Sequence, residues 1–191
     1  MVSKWVMTKT SGFGMLMLAC SQPHAAVPQK PVREEVAYLD HAPAPKTVPD
    51  MVSAAAAVVV AEYTGRSRLI EEDAAHPIMT SYTFRLVETI KRHGALPLDG
   101  DEMEVELHGG DKEQATYIER TRVAETRALK TNHRYVLFFA WNLIQNKLQL
   151  AWGPSLYDVA EGYVRSVDVL TLEHDGTTAA AFLAELRMAT K

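Results

Sequence analysis

The chain reads as a mainly β protein, a barrel or sandwich of short strands with a short helix before it and another at its C-terminal end. Three observations carry that reading. Residues 102–108 (EMEVELH) alternate acidic and apolar side chains with the period of two of a half-buried strand. Residues 134–141 (RYVLFFAW) form an aromatic-rich run that is apolar on both faces, and Asn142 to Asn146 turns it back into 147–152 (KLQLAW), a hairpin pattern. The runs are joined by turn residues and not by the amphipathic crossover helices that a parallel sheet needs.

The first fifty residues have another character. Residues 1–11 carry Lys4 and Lys9 and no acid, and residues 12–19 (GFGMLMLA) are apolar and end in a small residue before Cys20. That order is the grammar of a secretory signal peptide over 1–19, and the apolar stretch is far short of the roughly 20 residues of a spanning helix. Residues 17–20 (MLAC) resemble a bacterial lipoprotein signal, in which the cysteine becomes the lipid-modified first residue of the mature chain. Ala19 fits that pattern; Met17 stands in place of the usual Leu, and Leu18 is bulkier than the usual small residue. Ordinary cleavage after Ser21 is the alternative, and it leaves no lipid. Residues 20–49 then hold six of the nine prolines, at 23, 28, 31, 43, 45 and 49. Proline fixes φ and removes a backbone donor, so the segment reads as a tether from a lipid site at Cys20 to a domain over 50–191. Only 33–39 (REEVAYL) offers local structure there, a turn of helix or a local packing. The expected address is an exported chain anchored at the cell envelope, or, without the lipid, a periplasmic or secreted soluble one.

From Asp50 the elements follow in order. Asp50 is placed to cap a short helix through Ala57. Residues 58–63 (VVVAEY) read as a buried strand because β-branched side chains suit a pleated surface, with a loop over 65–76 after it. Residues 80–91 put Tyr82, Phe84, Leu86 and Ile90 on one face, interrupted by Glu88. Gly94, Pro97 and Gly100 mark a turn-rich connection to the 102–108 strand, which Gly109-Gly110-Asp111 ends. Residues 111–130 are polar and irregular, with a short strand around 117–123. After the 134–152 hairpin, 157–160 and 163–169 form a short pair around Gly162. A helix over 177–188 carries Ala179, Phe182, Leu183 and Leu186 at helical spacing.

Composition narrows the function classes. A chain of 191 residues that is 47% hydrophobic and 23% charged holds one real core. A net charge of −4 supplies no basic field, so nucleic acid is not an expected partner. With Cys20 alone there is no internal disulfide and no Cys-rich zinc site. Glu71, Glu72, Asp73 and His76 carry metal-ligand chemistry in a spacing that matches no known site and read as a solvated loop. Asp99 to Glu102 lacks the rest of a calcium loop. The histidines at 24, 41, 76, 93, 108, 133 and 174 form no HExxH pair, and Ser155 lacks a nucleophile elbow. No catalytic residue, metal or cofactor is assigned. The remaining candidate is aromatic. Alternation sends Tyr135, Leu137 and Phe139 one way and Val136 and Phe138 the other, as in a central strand packed against the terminal helix. The alternative is a binding face made of Tyr135, Phe138, Trp141 and Trp152.

The order of features over about 50–168 resembles that of exported bacterial proteins similar to the barrel of tissue inhibitors of metalloproteinases and netrin-like modules. The residues that carry it are 56–61 (AAVVVA), 82–91 (YTFRLVETIK), Gly100-Asp101, 103–107, Gly109-Gly110, 134–139 (RYVLFF) and Trp152-Gly153-Pro154. The resemblance implies a five-stranded, partly open OB-like barrel, to which the sequence pattern adds the short N-terminal helix and the C-terminal helix. Inhibitors of that class hold a target's zinc through a free N-terminal cysteine stapled by disulfides. Cys20 has no disulfide partner and lies across a proline-rich tether, so that activity is not carried over. The expectation is an interaction module held at the envelope by its lipid, with an envelope protein or another ligand as partner; a protease-inhibitor-like protein or an envelope hydrolase is the alternative.

Overall fold

The computed structural model describes residues 29–37, 44–70, 78–92, 101–123, 126–143, 147–152, 155–168 and 174–191. Residues 1–28, with the expected leader and Cys20, most of the expected tether, and Glu71, Glu72, Asp73 and His76 lie outside them. Along the described chain run β1 (Val32–Ala37), α1 (Val48–Ala54), β2 (Ala57–Ile70), β3 (Met79–Lys91), β4 (Glu102–His108), β5 (Gly110–Glu113), β6 (Ile118–Val123), β7 (Arg134–Asn142), β8 (Lys147–Leu150), β9 (Leu156–Asp158), β10 (Arg165–Ser166) and α2 (Ala179–Met188). The molecule is mainly β, with a curled half-barrel sheet and two helices. The large sheet is ordered β10-β9-β7-β2-β3-β4 and is antiparallel throughout; β8 pairs with the C-terminal half of β7, beyond the part that pairs with β9. A separate three-stranded sheet, β1-β6-β5, pairs β1 parallel to β6.

β7 is the hub, because both of its faces are apolar. Val136 and Phe138 enter an outer core with Val48, Met51 and Val52 of α1 and Phe182 and Leu186 of α2. Tyr135, Leu137 and Phe139 enter an inner core with Val59, Phe84 and Val105. The outer core is tied by rings: Phe138 lies 5.2 Å from Trp152 and 5.7 Å from Tyr157, and Tyr157 lies 5.6 Å from Phe182. Full burial of one such side chain stabilises by about 1.5–3 kcal/mol.

Each helix is capped by a threonine. At α1 the cap is Thr47 and not Asp50: the Thr47 hydroxyl accepts the Asp50 N–H at 3.3 Å and donates to the Asp50 carboxylate at 2.6 Å. The helix therefore starts earlier than expected and takes Pro49 into its first turn, where a missing N–H leaves nothing unpaired. At α2 the Thr178 hydroxyl accepts the Ala181 N–H at 3.3 Å.

Register shifts in the β2–β3 ribbon explain two departures from simple alternation. Val58 and Val59 stand opposite Lys91 and Thr89, and Val60 and Ala61 opposite Glu88 and Leu86, so Ile90 and Val87 are extra residues on β3. Each bulge reverses the facing of the residues beyond it. Ile90 consequently packs against the outer core while Tyr82 and Leu86 pack against the inner one. Glu88, which interrupts the apolar face in the sequence, reaches α2 and accepts two bonds from Arg187 at 2.8 and 2.7 Å. A third shift lies between Tyr63 and Ser67, where Gly65 has φ +82°, and β2 runs on to Ile70 instead of ending in a loop at Gly65.

The small sheet begins where β4 ends. Gly109 and Gly110 have φ of +97° and +141°, and a β-carbon on Gly110 would collide with the Thr80 hydroxyl. That hydroxyl donates to Gly109 O at 2.6 Å. The pair of glycines thus lets the chain cross close over β3 and enter β5, a strand in a stretch that reads as irregular. β1 comes from the proline-rich segment: residues 32–37 form an extended edge strand, not a turn of helix, because β6 offers them a ladder.

Candidate functional site

Beyond β4 the large sheet has no further strand among the described residues, and β8 pairs only with β7. Their Cα atoms approach within 8 Å without backbone pairing. Between them lies a trough of about 980 Å³. Its floor is the flank of the inner core: Tyr82, Leu107, Leu129, Leu148 and Leu150, packed around buried Phe139. The alternation of β4 places Leu107 there, and the β7–β8 hairpin delivers Leu148 and Leu150, which stand opposite Trp141 and Phe139. The small sheet and residues 126–129 complete the wall.

The rim is charged and internally compensated. Arg120 donates through Nε and Nη2 to the Asp111 carboxylate at 2.7 and 2.6 Å, and this guanidinium holds the Asp111 carboxyl below its ordinary range. Arg68, with help from Ser81, does the same for Glu104. Arg127 donates to Ser166 O at 3.0 Å and to Asp175 at 2.9 Å. Burial raises the Tyr82 phenol, so it stays protonated at the edge of the floor. The trough thus sets an apolar floor inside a rim whose charges are paired with one another.

The four aromatic residues singled out in the sequence do not share a face. Phe138 and Trp152 meet in the outer core under α2, whereas Tyr135 and Trp141 belong to the inner one. Tyr135, Phe138 and Trp152 are buried. Tyr135 is spent on structure: its hydroxyl accepts the Lys130 N–H at 2.8 Å, and burial pushes the phenol up to about 12. Trp141, half-buried, flanks the inner core beside the hairpin that lines the trough. The lining residues Leu107, Leu129, Leu148 and Leu150 carry no chemical signature that separates them from core leucines, and their grouping depends on which strand edges stay unpaired.

One acid–base pair lies elsewhere. His133 Nδ1 is 2.8 Å from Asp158 Oδ2 and its Nε2 is 3.9 Å from Glu161, where the start of β7 meets the end of β9. Ser155, the serine raised as a nucleophile, is buried and engaged: its hydroxyl donates to Phe138 O at 2.9 Å and accepts the Ala151 N–H at 3.1 Å. Among the described residues no group of three or more His, Cys, Asp or Glu side chains is placed to hold a metal ion, and no helix is long and apolar enough to cross a membrane. No protein-family model matches the chain, and no curated protein matches it significantly.

Proposed function

We propose that the chain is an exported, lipid-anchored binding module of the cell envelope, with the trough between β4 and β8 as its ligand site. The trough itself carries the reading: a concavity of about 980 Å³ with an apolar floor is of the size and character that accommodates a ligand. The basic and apolar leader before Cys20, followed by a proline-rich segment, supports the anchor. The half-barrel is interpreted as an open relative of the five-stranded OB-like, netrin-like barrel. Support for this comes from β2, which pairs with both β3 and β7, and from β4 following β3 in the same curled sheet.

Titration of the full chain with 1-anilinonaphthalene-8-sulfonate, an apolar fluorescent probe, tests the trough. Saturable fluorescence that Leu148→Arg abolishes, with the far-UV circular dichroism unchanged, is the expected result. Fluorescence equal in both proteins overturns the site. For the anchor, mass spectrometry of the mature N-terminus is expected to find acylated Cys20; an unmodified N-terminus at Gln22 or an intact Met1 overturns it.

A further inference from the structure

β1 is attached unlike any strand of the large sheet. Residues 32–36 are all exposed, Ala37 is half-buried, and no β1 side chain enters either core. Val32 and Val36, the apolar members of the outward face, are 46% and 48% exposed. What holds β1 is the six-residue parallel ladder to β6, the Ile118 N–H bond to Pro31 O at 2.9 Å just before it, and a few side-chain contacts, among them Lys30 Nζ donating to Gln114 O at 2.9 Å. Glu34 is 3.2 Å from Arg122, the Arg33 guanidinium sits 4.2 Å from the Tyr117 ring centroid, and Lys30 just before the strand pairs with Glu113 at 2.7 Å. Ladder bonds gain little net because water offers the undocked strand the same bonds, and ordering six residues costs entropy that the half-covered Val32, Val36 and Ala37, none of them in a core, offset only in part. Both cores are complete without the strand, so its departure leaves the half-barrel intact.

We infer that β1 is a releasable clasp, docking the N-terminal segment on the β6 edge and detaching from it as a unit while the half-barrel stays folded. On the reading that Cys20 is the anchor, release changes reach. Docked, 10 residues separate Cys20 from Lys30, a reach of at most about 36 Å, whereas 28 residues separate Cys20 from the start of α1 at Val48, a reach of at most about 100 Å. The clasp then sets whether the half-barrel stands near the membrane or far from it. Because two of its side-chain contacts, Glu34 with Arg122 and Lys30 with Glu113, are exposed ion pairs, release is favoured by salt.

Native-state hydrogen exchange on the full chain tests the clasp without relying on the lipid, so a failed anchor leaves the test standing. Segment 32–37 is expected to exchange at least about tenfold faster than 134–139, and faster still at high salt. Glu34→Arg, which sets a cation against Arg120 and Arg122, is expected to speed exchange of 32–37 by about fivefold with the melting temperature unchanged, and Arg122→Glu in that background to restore protection. Protection of 32–37 equal to that of β7, or indifference to Glu34→Arg, overturns the clasp.

Discussion

The two sheets of this molecule are built from the same backbone pairing and held by different forces. β7 in the large sheet presents Tyr135, Leu137 and Phe139 to one core and Val136 and Phe138 to the other, so each residue added to its ladder also buries apolar surface. β6 in the small sheet presents Arg120 and Arg122 on one face, with Asp111 and Glu34 as partners from its two neighbours, and buries only Thr121. The lesson is that a strand's hydrogen bonds do not measure its stability. Pairing decides where a strand lies, and the side chains on its two faces decide how firmly it stays.

That contrast is open to attack at several points. The largest effect is expected at the hub: Phe138→Ala empties the centre of the ring cluster under α2 and should cost about 3–5 kcal/mol, read as a fall in the midpoint of urea unfolding. At the junction between the sheets, Gly110→Ala forces a side chain onto a left-handed backbone and against Thr80; a loss of about 1–3 kcal/mol is expected. If it disturbs exchange in β5 and β6 while sparing β7, the junction serves the small sheet alone; equal disturbance of both breaks the distinction.

Tyr135 supplies a pH test of the inner core. Its phenol titrates near 12 in the folded chain against an ordinary 10.0, so it is the neutral form that the fold favours. The stabilisation is fully present below pH 10 and is lost as pH rises from about 10 to about 12, where the unfolded chain ionises first. Tyr135→Phe should flatten that part of the stability profile, at a cost near neutrality of about 0.5–1.5 kcal/mol for the bond to Lys130. The smallest effect belongs to the small sheet: Glu34→Ala is expected to change global stability by less than about 0.5 kcal/mol, because the Arg122 pair is exposed. A larger change would mean that β1 supports the half-barrel after all.

Much of the large sheet is legible in the sequence. EMEVELH could only be a strand with one wet face, and it is β4; RYVLFFAW was apolar on both sides, and it became the strand between two cores. The 147–152 return and the C-terminal helix, with buried Ala179, Phe182 and Leu186, were equally readable. β5 and β1 were not, since GDKE and VREEVA carry no apolar alternation and owe their form to a neighbour's ladder. The bulges at Val87 and Ile90 were hidden too: they arise from how two strands match, and one strand's sequence does not contain that register. The trough was illegible for a related reason, because it consists of strand edges left unpaired and of leucines indistinguishable from core.

By itself, then, the sequence determined the local terms: the periods of the strands, the proline density of residues 20–49, and the basic and apolar residues ahead of Cys20. Tertiary structure alone decided the non-local ones. Residues 32–37 found β6 some eighty residues on, Glu88 turned out to the helix through the bulge at Val87, and β4 and β8 came near each other without pairing. The physical reason is that periodicity and capping act within a few residues, whereas pairing, register and concavity depend on loops closing and faces matching across the whole chain.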